Sequence, residues 1–175
     1  MRGSRENKGA RNEWERRFLL ARFPDDANIT RVRHIVDRYI DGTRLRLRRQ
    51  NEKELDEFKL TQKIPETKAG ARHGLITTMY LTEQEFCVLE KLPARLLTKK
   101  RYSVPPFGID IFEGELRGLV LAEAEFSCAE EASRLALPSF IVHEVTDDVR
   151  FTGGELVRAS RLDLEKWLDE FRIKL

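Results

Sequence analysis

The sequence predicts a mainly-β (α+β) domain, an antiparallel sheet either closed into a barrel or stacked as a two-sheet sandwich, with a few peripheral helices. Three observations predict it. Nine β-type stretches follow one another through short joins that carry turn chemistry. Short joins imply antiparallel pairing, because a parallel pair needs a crossover of about a dozen residues or more. Only three stretches carry helical signals. So many strands favour closure or stacking, and periodicity alone does not choose between them.

The strand candidates, in order, are Glu13–Ala21, Thr30–Ile40, Arg44–Arg49, Glu54–Ile64, Leu75–Leu81, Arg95–Val104, Gly108–Phe112, Leu119–Ser127 and Phe140–Val145. Turn residues mark the joins at Pro24-Asp25-Asp26, Asp41-Gly42, Asn51-Glu52, Pro105-Pro106, Glu113-Gly114 and Gly153-Gly154. Thr82-Glu83-Gln84-Glu85 is a capping box that opens a helix ending near Pro93. Ser127-Cys128-Ala129-Glu130 is a second box, and its helix stops before Pro138. From Ser160 the chain places Leu164, Trp167, Leu168 and Phe171 on one helical face. That face packs either on the sheet or on a partner chain, which leaves a homodimer open.

The 175 residues suffice for one domain with a core. Residues 1–11 read as a disordered basic tail and 12–175 as a single domain, its last helix spanning about 160–173. The start lacks the apolar run of a signal peptide, and apolar runs such as 118–122 are far too short to span a bilayer. Cys87 and Cys128 form no disulfide framework, which fits a reducing cytoplasm. A net charge of +2 gives no global field for nucleic acid or membrane.

The charges are instead sorted by strand. Residues i, i+2 and i+4 of a strand share a face. Glu13, Glu15 and Arg17 therefore point one way, as do Arg44, Arg46 and Arg48. Lys59 shares a face with Thr61 and Lys63, Lys99 with Arg101, and Glu123 with Glu125. One such strand reads as a solvated sheet face. Several one-sign strands together point to a highly charged ligand. Arginine forks pair with phosphate oxygens. Convergent carboxylates cannot, but they hold hard divalent cations that bridge to phosphate. His34, His73 and His143 lack zinc-like spacing, and no P-loop or nucleophile motif is present.

These residues resemble the CYTH (triphosphate tunnel metalloenzyme) family. Glu13-Trp14-Glu15-Arg16-Arg17 is similar to its E-x-E-x-K signature, Arg44 to Arg48 to its L-R-x-R strand, and Lys59 to Lys63 to its L-T-x-K strand. Lys99-Lys100-Arg101-Tyr102 resembles its K-x-R-Y segment. Asp110, Gly118-Leu119 and Glu123-Ala124-Glu125 resemble its D…GL…E-x-E block, and Glu144-Val145-Thr146 a late E-V-T element. The pieces run in order from about Glu13 to about Arg158.

The resemblance implies an eight-stranded closed antiparallel β-barrel and Mg²⁺- or Mn²⁺-dependent hydrolysis of a triphosphate, inorganic triphosphate first. It also admits hydrolysis or cyclisation of an organic triphosphate, such as thiamine triphosphate or a nucleotide, and a non-catalytic polyphosphate or nucleotide sensor. The implied catalytic residues are Glu13, Glu15 and Arg17. Substrate contacts fall to Arg44, Arg46, Arg48, Lys59, Lys63, Lys99 and Arg101. Metal ligation falls to Glu13, Glu15, Asp110, Glu123, Glu125 and Glu144. The expected ligand is a small triphosphate or polyphosphate, with no nucleic acid and no membrane. Two positions depart from the family pattern: Arg17 replaces a lysine, and Gly108 stands where an acid is expected.

Overall fold

The computed structural model describes residues 9–65 and 73–175. Eight strands form the wall: β1 (Arg11–Leu20), β2 (Arg31–Ile40), β3 (Leu45–Glu52), β4 (Leu55–Pro65), β5 (His73–Leu81), β6 (Ala94–Val104), β7 (Phe107–Phe112) and β8 (Val120–Phe126). They follow the order β5-β4-β3-β2-β6-β7-β8-β1, and β1 pairs back onto β5, so the sheet is a closed barrel. Every neighbouring pair is antiparallel. Closure removes the exposed edges that an open sheet would carry.

One edge of β1 is shared. Its first half, Arg11–Trp14, pairs with β5, and its second half pairs with β9 (His143–Glu144) through Phe18 and Leu19. The ninth strand is thus a two-residue strap and not part of the barrel. It is also much shorter than the Phe140–Val145 read from sequence. β1 begins at Arg11, inside the stretch read as a tail; residues 1–8 lie outside the described residues.

Two further turns depart from the sequence reading. The β3–β4 hairpin pairs Glu52 with Leu55, so its two-residue loop is Lys53-Glu54, with φ of 47° and 68°. Asn51 and Glu52, read as the turn, are still strand. After β8, helix α2 (Ala129–Ser133) starts from Cys128, and Ser127 is bonded to Glu131 rather than to Glu130. Helix α1 (Glu83–Leu89) does carry the Thr82–Glu85 capping box.

Alternation sorts the side chains. Phe18, Leu20, Val104, Phe107, Ile109, Val120, Ala122 and Ala124 form an outer apolar face covered by Leu135, Phe140 and Ile141 after α2. Leu47, Ile40 and Phe58 form another, covered by Phe86 of α1, whose ring lies 4.6 Å from that of Phe58. One end of the interior is a continuous apolar plug. There Leu19, Leu97, Phe112 and Leu121 meet Val145 and Phe151 together with α3 (Gly153–Leu156) and α4 (Arg161–Glu170). Leu164 and Leu168 of α4 are fully buried in this plug, with Trp167 and Phe171 packed against it. The apolar face of α4 is therefore spent on its own barrel end. Among the described residues no helix is long and apolar enough to cross a membrane.

The plug generates a stability prediction. Phe151 is 1 % exposed and is stacked edge-on by Trp167 and Phe171. Phe151→Ala is expected to cost about 3–5 kcal/mol, lowering the thermal midpoint by roughly 10 °C. A melting curve superposable on that of the parent would contradict the plug as a stabilising element.

Candidate active site

Away from the plug many inward-facing positions are charged. β1 contributes Glu13, Glu15 and Arg17, with Glu15 paired opposite Glu125 and Arg17 opposite Glu123 of β8. β3 contributes Arg46 and Arg48, and Arg48 lies opposite Asp37 of β2 on one side and Lys59 of β4 on the other. β6 contributes Lys99 and Arg101, the latter opposite Asp110 of β7. The one-sign faces read from sequence thus converge on one tunnel.

Among the described residues the charges include three larger ion-pair groups, beside a Lys59–Glu57 pair at 2.5 Å. In the first, Arg48 grips Asp37 with both arms of its fork, Nε to Oδ1 at 2.6 Å and Nη2 to Oδ2 at 2.8 Å, while Arg46 Nε lies 3.6 Å from Oδ1. Asp37 has no exposed surface. Burial opposes its ionisation, but Arg48 and Arg46 overcome that and hold its carboxyl well below the usual carboxylate range. In the second, Arg101 forks onto Asp110 at 2.6 Å through both nitrogens and also reaches Glu123, while Lys99 Nζ bonds the same Asp110. In the third, Lys63 bridges Glu13 at 2.6 Å and Glu15 at 3.0 Å.

Comparison with known proteins follows this geometry. No family model matches the chain. The inorganic triphosphatase of Nitrosomonas europaea is 33% identical over 155 residues, 82% of this chain and 95% of that one. The chain belongs to this family, the triphosphate tunnel (CYTH) proteins. A crystal structure of the inorganic triphosphatase NE1496 shares the fold with a TM-score of 0.55 and 25% identity, covering 84% of this chain and 95% of that chain. A crystal structure of the hypothetical protein NE1496 matches with a TM-score of 0.55 and 26% identity, covering 85% of this chain and 99% of that chain.

Two residues named from the family pattern stand outside the tunnel group. Glu144 lies on β9, opposite the outward-facing Phe18, and grips Arg16 at 3.0 and 2.6 Å on the outer wall. Arg44 is exposed in the turn before β3. The two departures from the pattern also find physical places. Arg17 donates from Nη2 to the Thr146 carbonyl at 2.7 Å, and its backbone N–H bonds Thr146 Oγ1 at 3.1 Å, so the strap after β9 holds it. At Gly108 a Cβ would meet Arg101 Cδ at 3.3 Å and Nε at 3.4 Å. The missing side chain is the space across which Arg101 reaches Asp110 and Glu123, and an acid there would push that arginine aside.

Asp37, which no motif in the sequence singles out, is central and fully buried. Nor does any motif mark Tyr39, against whose hydroxyl a Cβ at Gly153 would close to 2.0 Å. The signal was available: on β2, Asp37 and Tyr39 share a face with Ile35, so that face mixes polar and apolar groups.

The donor chemistry of Glu13, Glu15, Glu123 and Glu125 fits a hard divalent cation: oxygen only, on two adjacent strands. Partial desolvation, with Glu13 and Glu123 beside it, holds the Glu125 carboxyl above the ordinary range although its side chain still reaches solvent. An added positive charge would relieve that repulsion. Among the described residues, no three acidic, histidine or cysteine groups are already drawn together as a cation cage, since Lys63 and Arg101 hold three of these acids.

Asp37 supplies a test with a defined sign. Its depressed carboxyl contributes stability that is full above its ordinary value of 3.8 and is lost as pH falls toward its folded-state value. Asp37→Asn leaves Arg46 and Arg48 uncompensated and is expected to cost about 3–5 kcal/mol at neutral pH. Thermal melts from neutral pH to about pH 2 should show the gap between parent and variant narrowing below about pH 4. A gap that widens on acidification would contradict the assignment.

Proposed function

We propose that this chain hydrolyses inorganic triphosphate to pyrophosphate and phosphate in a reducing cytoplasm, using Mg²⁺ or Mn²⁺. The observation that carries the reading is the tunnel itself, with forked cations fixed on β3 and β6 facing an oxygen-only acid cluster on β1 and β8. The similarity to an inorganic triphosphatase over 95% of that relative's length supports it.

Arg46, Arg48, Lys59, Lys63, Lys99 and Arg101 bind and align the linear anion. Asp37 and Asp110 hold the forks of Arg48 and Arg101 before substrate arrives, so little ordering remains to be done on binding. Glu13, Glu15, Glu123 and Glu125 would hold the divalent cation, which when bound neutralises phosphoryl charge and acidifies a water. Arg17 keeps a fixed positive charge beside Glu15, 3.6 Å away, and cannot take a proton as a base. Glu125 makes no ion pair among the described residues, which leaves its carboxylate open to the cation. The sensor reading loses one support, because Gly108 is room for Arg101 rather than a lost ligand.

Four variants test the two halves of the site. Glu15→Gln and Glu125→Gln are expected to lower kcat about 100-fold or more. Arg46→Ala and Lys99→Ala remove charge-assisted bonds of about 1.5–3 kcal/mol, a loss of about 10- to 150-fold in kcat/KM. Melts establish folding first. Phosphate release at the parent rate in all four folded variants would overturn the site, and full activity in excess chelator would overturn the metal.

A further inference from the structure

Among the described residues, seven cations of the tunnel wall touch an acid. Arg17, Arg46, Arg48, Lys59, Lys63, Lys99 and Arg101 each lie within 4 Å of a carboxylate. Arg33 on β2 does not. It lies directly opposite Arg101 in the β2–β6 register, and it is half-buried. Its Nη2 donates to Ser103 Oγ at 3.3 Å, and its buried Nε finds no acceptor among the described residues. The nearest acid on the same face, Glu52, is already bonded to Arg31. Surrounded by Arg101, Arg31 and Arg48, the Arg33 guanidinium is less readily held charged than usual, with withdrawal from water as the larger cause. A half-buried cation with three arginines around it, its Nε without an acceptor among the described residues and Glu52 already bonded to Arg31, is a place where an added anion is stabilised.

Its position says which anion. Along β6 the inward residues run from Leu97 in the apolar plug through Lys99 and Arg101 to Ser103 at the open end. Arg33 is one inward step, about 7 Å, beyond Ile35, which is level with Lys99. Its bond to Ser103 leans it further toward the mouth. Under the triphosphatase reading, the triphosphate unit falls to the deeper cations. A cavity of about 360 Å³ opens at the same end, lined in part by Arg31, Gln50, Glu52 and Glu57. Its two acids on this face are held, Glu52 by Arg31 and Glu57 by Lys59 and Gln50.

We propose that Arg33 is a specificity-determining residue at the tunnel mouth that binds a further phosphoryl group where a linear polyphosphate extends beyond the triphosphate unit. The proposal rests on the triphosphatase reading. Its readout is a ratio, kcat/KM for tetrapolyphosphate over kcat/KM for tripolyphosphate, measured in parent, Arg33→Met and Arg33→Lys after melts confirm folding. Arg33→Gln replaces Arg33→Met should the latter not fold. The ratio is expected to fall about tenfold when the charge is removed, with Arg33→Lys in between because it keeps charge but loses the fork. An unchanged ratio, whether both rates fall together or neither moves, overturns the proposal. If the parent turns over neither anion, the triphosphatase reading fails on its own. Titration calorimetry of the same two anions in chelator then decides for Arg33, by whether the ratio of the two Kd values shifts in the variant.

Discussion

Asp37 and Asp110 have no exposed surface, and between them they hold four cations of the tunnel wall. Without them the arginines and lysines of β3 and β6 would face each other across a narrow space with only repulsion to order them. The carboxylates convert that repulsion into a fixed fork geometry. The same logic runs on the opposite wall, where Lys63 and Arg101 hold acids of β1 and β8 that would otherwise repel. The barrel supplies the register that makes these pairs meet: Arg48 falls opposite Asp37 and Arg101 opposite Asp110 because each pair sits on neighbouring strands of one closed sheet.

Such an interior is expensive. Buried ion pairs recover little more than their desolvation cost, and removing one partner leaves a charge stranded. The stability must come from elsewhere, and the apolar residues are placed accordingly. They occupy the outer faces of the barrel and one end of its interior, while the charged stretch between is held by the wall's backbone bonds. A soluble barrel of this size usually fills its interior with side chains. Here the filling is a salt network, which polyanions can rearrange in a way that an apolar core would not permit.

Most of this was legible in the sequence because β alternation is rigid. Once Arg46 and Arg48 share a face, Leu45 and Leu47 must share the other, and the strand needs no tertiary information to be read. What failed to show was anything set by long-range packing. Glu144 has a neighbour pattern like that of a tunnel acid, yet it lies on a two-residue strap whose side chain meets Arg16 outside the barrel, 128 residues away in sequence. No local motif marks Asp37, because its partners Arg46 and Arg48 lie on the next strand. Gly108 looked like a missing ligand because the space it leaves is used by a side chain from β6. The Lys53-Glu54 turn carries neither glycine nor asparagine, so the usual hairpin signal was absent there.

The segment from β9 to α4 sets the position of several groups inside the barrel. Thr146 receives both the backbone and the guanidinium of Arg17. Gly153 makes room for the Tyr39 hydroxyl beside the closed end. Arg150 ties Asp148 to Glu170 across the plug, joining the strap to the last helix. Because one contiguous stretch both seals the barrel and fixes Arg17, loosening the plug moves a charge that borders the acid cluster. Stability and site geometry are therefore coupled through the C-terminal segment.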